Sequence, residues 1–250
     1  MSEYVTIERD GEVALVRADR PPANAMDVQL LDEVIAAAAE VAATDAAAVV
    51  LTGRDGYFSA GADLKVVPGL DATGQRAMVN NINAMCAAWY GFERPVVCAV
   101  NGHAIAGGMV MALCGDYRVG STEGKLGLTE VRAGVPYPAA AIAVVRAELA
   151  PSAMRRLTLG ASLVDPPAAL ELGLVDELRP PGEVLDRALE VARELGALPA
   201  AGYAHVKGQL RGALVTEIRR TIEEGTDPLL AAWTSEETGV AAASVLSGDA

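Results

Sequence analysis

The segment NGHAIAGGMVMALCGD, residues 101–116, decides the fold of this chain. It follows a short apolar run at 96–100 and places a glycine pair before a second apolar stretch, which predicts a buried strand, a tight turn and a buried helix. A related segment, FSAGADLK (58–65), lies upstream, and a single glutamate, Glu130, lies downstream in GLTE. Glycine lets a ligand approach the main chain, so each turn can direct one backbone N–H at an oxygen. Two such amides and one carboxylate are the components of an oxyanion hole with a base.

The composition excludes several classes of protein. The 250 residues carry a formal net charge of −13, whereas surfaces that bind nucleic acid or anionic membranes need clustered Lys and Arg. The amino terminus lacks the basic and apolar regions of a secretion signal, and no run of about 18 apolar residues could span a membrane. The three cysteines lie in apolar runs, which predicts buried, reduced thiols and a cytoplasmic protein.

The periodicity of apolar residues predicts an α/β protein. Alternation of polar and apolar residues on both sides of Asp10-Gly11 predicts an initial β-hairpin. Helical spacing at 28–43 and at 73–89 is followed each time by a short apolar strand, at 46–51 and at 96–100. A helix followed by a buried strand is therefore the repeating unit.

The carboxyl-terminal part has a different pattern. The glycine-rich segment 115–134 predicts loops with short alternating pieces, and helical spacing resumes at 138–149. Beyond a break at 195–199 the pattern is helical throughout. This predicts a core at 1–195 and a C-terminal helical domain at 196–250.

Four segments in order resemble the enoyl-CoA hydratase/isomerase (crotonase) superfamily: RPPANAM (20–26), FSAGADLK (58–65), NGHAIAGG (101–108) and ALELGLVDEL (169–178). The resemblance implies a spiral of ββα units with a C-terminal helical trimerisation domain, assembled as a homotrimer or a dimer of trimers. It also implies an acyl-CoA substrate, with CoA only as part of the thioester, and neither a metal nor a redox cofactor.

The resemblance assigns roles to individual residues. It implies that the backbone N–H groups of Ala62 and Gly107 hold the thioester oxygen. Hydratases of the family carry two glutamates, and at those positions this chain has Val110 and Glu130. Hydration needs an oriented water and a proton donor, whereas one carboxylate can carry a proton between two carbons. The sequence is thus similar to the Δ3,Δ2-enoyl-CoA isomerase branch and favours a double-bond shift, with burial expected to raise the pKa of Glu130.

Two other kinds of function stay open at this point. The chain could be an enoyl-CoA hydratase or a related acyl-CoA lyase or hydrolase in which another polar group helps Glu130 to position water. Asp116 and Glu123 are candidates for that second group. Alternatively, the loss of a glutamate at Val110 could leave a noncatalytic acyl-CoA-binding homologue.

The resemblance also implies a set of residues that contact CoA or the acyl group: Ala23, Ala25, Ala60, Gly61, Asp63, Leu64, Lys65 and Gly108. Asp63 is also expected to cap a short helix formed by LKVV, residues 64–67. Lys65 is the best placed cation for the CoA phosphates, and four further cations are weaker candidates: Arg17, Arg20, Lys207 and Arg211.

Several remaining residues have structural interpretations. His103 and His205 lack a partner at metal-binding spacing, so no metal site is predicted. Cys114 is expected to be an inert buried thiol. Tyr137 and Pro138 are candidates for shaping the acyl end of the pocket, and four residues of the C-terminal region are candidates for subunit contacts: Leu229, Leu230, Trp233 and Val240.

Overall fold

The computed structural model describes residues 2–247, the side chain of Glu236 excepted. Its strands are β1 (Val5–Asp10), β2 (Val13–Ala18), β3 (Ala25–Met26), β4 (Ala48–Thr52), β5 (Gly56–Ser59), β6 (Gly61–Ala62), β7 (Val96–Val100), β8 (Gly102–Ile105), β9 (Tyr117–Ser121), β10 (Leu126–Gly127), β11 (Leu163–Val164) and β12 (Glu177–Arg179). Its α-helices are α1 (Val28–Ala42), α2 (Ala72–Tyr90), α3 (Gly107–Leu113), α4 (Ala139–Glu148), α5 (Pro151–Leu159), α6 (Pro166–Glu171), α7 (Val184–Gly196), α8 (Ala200–Glu224) and α9 (Glu236–Ser247). Short 3₁₀ turns occupy Val67–Gly69, Glu130–Ala133, Pro181–Glu183 and Pro228–Leu230.

Consecutive ββα units build the core. Strands β1 and β2 both join a six-stranded sheet, ordered β1-β2-β4-β7-β9-β12. In the next three pairs, β4 with β5, β7 with β8 and β9 with β10, the first strand joins that sheet and the second joins a four-stranded sheet, ordered β11-β10-β8-β5. Strands β4, β7 and β9 are parallel to one another, and so are β5, β8 and β10. A two-stranded parallel pair, β3 and β6, lies beside them. This spiral confirms the predicted crotonase-like α/β fold.

The first two helices begin where short acidic side chains cap them. Asp27 accepts a hydrogen bond from the Leu30 N–H at 2.8 Å, and Asp71 accepts one from the Gly74 N–H at 2.8 Å. Such caps stabilise a helix by about 1 kcal/mol each. Helices α1 and α2 pack against each other, and the Trp89 indole donates to the Val34 carbonyl at 3.1 Å. The predicted hairpin and both predicted helices are confirmed within one residue or two at their ends.

The C-terminal helices share the main hydrophobic core. Val215 and Ile218 of α8 are buried in it, as are Leu230 and Trp233. Helix α7 instead covers the other face of the six-stranded sheet, where a smaller apolar cluster forms. The segment 195–199 covers the last two residues of α7 and the connection to α8, and its role as a domain boundary stays a prediction. The trimer predicted from the resemblance stays a prediction too.

One local prediction was wrong and another was incomplete. The segment 115–134, predicted as loops with short alternating pieces, contains β9, which lies inside the six-stranded sheet. Its buried Arg118 is ion-paired with Glu148 at 3.5 Å and with Asp176 at 3.3 Å, so a charged residue is accommodated by partners distant in sequence. The expected LKVV helix is a turn followed by the 3₁₀ turn at Val67–Gly69. Within residues 2–247, no helix combines the length and apolar character needed to cross a membrane.

Candidate active site

The two glycine-rich segments meet because β5 and β8 are adjacent parallel strands and the chain leaves both at the same edge. The backbones then come into close contact. A Cβ placed on Gly61 would lie 2.7 Å from the Ile105 carbonyl oxygen and 3.0 Å from the Gly107 nitrogen, and Gly61 has a φ of +78°. A Cβ on Gly107 would lie 3.9 Å from the Ala62 nitrogen. The amides of Ala62 and Gly107 are thus neighbours across this contact.

The chain turns sharply between β8 and α3. Ala106 has a φ of 51° and a ψ of −125°, a conformation that L-residues other than glycine rarely adopt. Its N–H donates to the Gly127 carbonyl at 2.8 Å, and its carbonyl accepts from Met109 and Val110. These bonds hold the turn and place Gly107 at the first position of α3, where its N–H has no acceptor within the helix.

A cavity of about 350 Å³ opens beside these two amides. Nine of the residues predicted to be catalytic or to bind substrate line it: Ala23, Ala25, Ala60, Ala62, Asp63, Leu64, Lys65, Gly107 and Glu130. Gly61 and Gly108 do not belong to the lining. A Cβ on Gly108 would lie 2.3 Å from the Ser59 carbonyl oxygen, so this glycine serves close packing of α3 on β5. Ligand contacts by Gly61 and Gly108 stay predictions, and the positions of these two glycines outside the cavity lining do not support them.

Glu130 is the first residue of a 3₁₀ turn and is almost fully buried, with 9 % of its surface exposed. Burial removes its carboxyl group from water and raises its pKa from 4.5 to about 7, an effect that the nearby Tyr137 hydroxyl only partly offsets. Among the described residues, neither Oε2 of Glu130 nor the Tyr137 hydroxyl has a hydrogen-bond partner of normal geometry. A buried carboxyl group without a charged partner and with a pKa near neutrality has the properties of a general base.

The position expected for a second glutamate is apolar and lies in the same cavity. Val110 is fully buried and lines it. The other lining carboxyl group, that of Asp63, already has partners: Oδ2 accepts from Arg20 at 3.0 Å, and Oδ1 accepts from the Lys65 N–H at 3.0 Å. Asp63 therefore caps the turn that it begins, as predicted, although that turn is not an α-helix.

Both candidates for a replacement glutamate lie elsewhere. Asp116 accepts from Lys207 at 2.6 Å and is ion-paired with Arg211 at 3.1 Å, in a buried network behind α3. Glu123 is exposed on a loop. Neither lines the cavity, so the prediction that one of them could assist Glu130 is not supported by their positions.

All four weaker phosphate candidates have partners within the protein. Lys207 and Arg211 hold Asp116, and Arg20 is ion-paired with Asp27 at 2.9 Å as well as with Asp63. Arg17 donates to the Gly53 carbonyl at 3.2 Å. Lys65 differs from these four, since it is exposed at the rim of the cavity.

The residues predicted to be inert lie outside the cavity lining. His103 stacks on Tyr57 with ring centroids 4.7 Å apart and accepts a hydrogen bond from the Lys125 N–H. Burial and the Lys125 charge lower the pKa of His103. Cys114 is fully buried, and its neighbour Cys86 together with burial raises the pKa of its thiol. In the described part of the chain, no cluster of three or more His, Cys, Asp or Glu side chains could hold a metal ion.

Several lining residues were not predicted from the sequence. Trp233 was a candidate for a subunit contact, with burial within the chain as the alternative. It is buried and lines the cavity, and its indole N–H donates to the Pro136 carbonyl at 3.0 Å. Val245 and Leu246 of α9 also line it. Leu230 is buried within the chain as well, whereas Val240 is 76 % exposed. The sequence carries no signal that a C-terminal helix returns to a pocket built more than 100 residues earlier.

Comparison with known proteins identifies the family of the chain. The family model described as enoyl-CoA hydratase/isomerase matches residues 8–238. A probable enoyl-CoA hydratase, EchA17 of Mycobacterium avium, is 34 % identical over 217 residues, which cover 83 % of each chain. The chain therefore belongs to the enoyl-CoA hydratase/isomerase family.

Solved structures extend the likeness to the whole fold. The probable enoyl-CoA hydratase EchA3 of Mycobacterium tuberculosis superposes with a TM-score of 0.84 at 30 % identity, over 90 % of this chain and 95 % of that one. A second structure of that protein, described as an apo enoyl-CoA isomerase, gives a TM-score of 0.80 at 30 % identity over 89 % and 97 % of the two chains. Human mitochondrial Δ3-Δ2-enoyl-CoA isomerase shares the fold, with a TM-score of 0.90 at 24 % identity over 98 % of both chains.

Proposed function

We propose that this member of the family is an enoyl-CoA isomerase, which moves a carbon–carbon double bond into conjugation with the thioester carbonyl of an acyl-CoA. One observation carries the proposal. Among the described residues that line the cavity, Glu130 is the single carboxyl group without a charged partner, and its pKa is raised to about 7. The position where a second glutamate would stand is the buried Val110.

The proposed reaction uses Glu130 twice. Its carboxylate removes a proton from C2 of a 3-enoyl-CoA, and the electron pair delocalises to the thioester oxygen as a dienolate. The N–H groups of Ala62 and Gly107 stabilise that negative charge, which is the function of an oxyanion hole. The protonated Glu130 then returns the proton at C4, and the double bond forms between C2 and C3. The reaction consumes no water and involves no oxidation or reduction.

Low polarity around the base supports this route. A carboxyl group that must take up and return the same proton works best when its pKa lies near the working pH and bulk water is excluded. Glu130 meets the first condition because of burial. The apolar Val110 beside it supports the second.

Hydration is the second candidate, because EchA17 and EchA3 are named as probable hydratases. It would need a water oriented by Glu130 and by one more polar group. Thr129, the neighbouring lining residue, offers a hydroxyl for that purpose. A hydroxyl cannot act as a second carboxylate in proton transfer at neutral pH, which is why isomerisation is the preferred proposal.

A product assay tests the proposal. Incubation with 3-hexenoyl-CoA is expected to produce the conjugated 2-hexenoyl-CoA, seen as a rise in ultraviolet absorbance and identified by chromatography. Incubation with 2-hexenoyl-CoA in water is expected to leave the conjugated product intact. Rapid loss of conjugation from 2-hexenoyl-CoA would identify a hydratase instead. Absence of both reactions, together with no deuterium uptake at C2 from heavy water, would leave only a binding protein.

A further inference from the structure

The Tyr137 hydroxyl lies beside the base but outside the cavity lining. Its oxygen is buried and, like Oε2 of Glu130, has no hydrogen-bond partner of normal geometry among the described residues. The two groups nevertheless interact, since the hydroxyl approaches the carboxyl group of Glu130 and the Glu130 backbone N–H approaches the phenolic oxygen. Pro136 and Pro138 line the cavity, whereas Tyr137 between them does not. A substrate in the cavity therefore meets Glu130 but not Tyr137.

We propose that Tyr137 is a positioning residue for the base: its hydroxyl donates a hydrogen bond to the ionised carboxylate of Glu130 and leaves the second carboxylate oxygen free to take the proton from C2. This inference rests on the proposed function, in which Glu130 moves that proton. Two adjacent buried polar atoms without other partners satisfy each other, because a buried donor or acceptor that stays unpaired is strongly disfavoured. An ionised carboxylate can only accept, so the phenol must be the donor.

The Tyr137 hydroxyl keeps its proton while the base loses its own. Burial raises the pKa of Tyr137, and the negative charge of Glu130 raises it further. Glu130 has a pKa of about 7, so it ionises while the phenol is still protonated. A donor to the ionised form lowers the pKa of a carboxyl group, and the Tyr137 hydroxyl acts on Glu130 in this direction, against the larger effect of burial.

The backbone between the two residues brings Tyr137 back beside the base. The Val135 N–H donates to the Glu130 carbonyl at 3.0 Å, which closes the turn that carries Glu130. Tyr137 is then flanked by Pro136 and Pro138. A proline fixes its own φ and restricts the residue before it, so the backbone of Tyr137 has few conformations available.

Both ends of this segment are also fixed to the C-terminal region. The Pro136 carbonyl accepts from the Trp233 indole at 3.0 Å, and the Ala139 N–H donates to the Asp227 carboxylate at 2.8 Å. Tyr137 lies between these two contacts. Its ring is therefore carried by an anchored backbone, which is what a group that orients a catalytic side chain requires.

The charged groups around the base lie at the surface or have partners. Helices α5 and α9 pack against the turn that carries Glu130. The charged side chains described on these two helices, and the other one on the turn itself, are exposed: Arg132, Arg155, Arg156 and Glu237. Helix α4 carries Arg146 and Glu148 in its last turn, at the end away from Tyr137. Of the charged lining residues, Lys65 is exposed and Asp63 is ion-paired. The pKa of Glu130 is accordingly determined by burial and by nearby donors, of which the Tyr137 hydroxyl is one.

Tyr137→Phe tests the hydrogen bond without requiring activity. Infrared titration follows the band of the protonated carboxyl group, and the same protein carrying Glu130→Gln is the blank that isolates Glu130. We expect the pKa of Glu130 to rise by about one pH unit in Tyr137→Phe, because the carboxylate loses its donor. An unchanged pKa would overturn the inference.

Tyr117→Phe is the matched control for this titration. Tyr117 is also half-buried, but it packs against the smaller apolar cluster and does not line the cavity. Loss of its hydroxyl should leave the pKa of Glu130 unchanged.

Kinetics with 3-hexenoyl-CoA distinguish positioning of the base from a purely structural role. At pH 9 the base is largely ionised in both proteins, and we expect the kcat of Tyr137→Phe to be about tenfold lower with little change in KM, because the hydroxyl acts on the base and not on the substrate. At pH 6 we expect kcat/KM to be about 100-fold lower, because the higher pKa also leaves about tenfold less ionised base. An unchanged kcat at pH 9, or an equal loss of kcat/KM at both pH values, would overturn the inference.

The inference and the proposed function fail in different ways. If the native chain does not isomerise 3-hexenoyl-CoA, the proposed function fails, and the infrared titration alone decides whether Tyr137 acts on Glu130. If the native chain isomerises it and Tyr137→Phe has the same pKa at Glu130, the proposed function stands and the inference fails.

Discussion

The substitution Glu130→Gln should make the protein less active and, above neutral pH, more stable. A glutamate has a pKa near 4.5 when exposed, and burial raises that of Glu130 to about 7 in the folded chain. Between these two pH values the folded state keeps a proton that the unfolded state has lost. The folded state binds more protons, so the free energy of unfolding falls as the pH rises from about 4.5 to about 7.

The size of this effect follows from the same two values. The interval between 4.5 and about 7 corresponds to about 3 kcal/mol of stability, which is fully lost once the pH is well above 7. Glutamine is nearly isosteric with the protonated glutamate and does not ionise. Part of this loss has already occurred at pH 5. We therefore expect the stability of Glu130→Gln relative to the native chain to rise by about 2.5 kcal/mol between pH 5 and pH 8.5.

Urea unfolding at pH 5, 7 and 8.5, at one fixed protein concentration, measures this difference. Any change that does not depend on pH cancels in the comparison. Glu123→Gln serves as the matched control, because Glu123 is exposed and lies outside the cavity lining, and its relative stability should stay constant with pH. A pH-independent difference for Glu130→Gln would refute the burial of an ionisable base at this position. Turnover by the same variant should fall by about 10² to 10⁴.

Two further outcomes are expected. The kcat/KM for 3-hexenoyl-CoA should rise about tenfold per pH unit up to about pH 7 and then level off, because Glu130 must be ionised to accept the proton; a profile flat from pH 5 to 9 would contradict its role as the base. Gly108→Ala should lower stability by more than about 2 kcal/mol, since its Cβ would lie 2.3 Å from a backbone oxygen of Ser59. Gly208→Ala is the control, because Gly208 lies on the exposed side of α8, where a Cβ meets no atom within 4 Å. This substitution should raise the free energy of unfolding by about 0.5 to 1 kcal/mol. Both variants are compared by thermal or urea unfolding, and equal effects at the two glycines would refute the packing argument.

Local patterns in the sequence predicted those parts of the fold that local interactions determine. The hairpin around Asp10-Gly11 and helices α1 and α2 follow from turn chemistry, capping and apolar spacing, all of which act over a few residues. The sequence indicated only short alternating pieces at 115–134 and no bounds for strand β9, which carries the buried Arg118 inside the six-stranded sheet. The carboxylates that neutralise it, Glu148 and Asp176, are 30 and 58 residues away, and no local pattern shows that they will meet it.

The same limit applies to the site. The glycine segments and Glu130 could be found because spacing along the chain identifies them. Arg20 was a candidate phosphate ligand, since the local sequence does not show that its side chain is ion-paired with Asp63, which lies 43 residues further on. Trp233 was a candidate for a subunit contact, and its hydrogen bond to Pro136, 97 residues away, could not be foreseen from the local sequence. The role of a residue whose partners are distant in sequence can be assigned only from the three-dimensional structure.

The use of main-chain donors explains which positions of the site are informative in the sequence. Ala62 could be exchanged for another residue without losing its N–H group, so its identity says little about chemistry. Gly61 is different, because a Cβ there would collide with the Ile105 carbonyl at 2.7 Å and separate the two segments. Ala106 adds a second constraint, since its φ of 51° is stabilised only by the bonds that hold the turn into α3. The proposed oxyanion hole therefore depends on the path of the backbone, and that path is set by the pairing of β5 with β8, which brings Ala62 and Gly107 together.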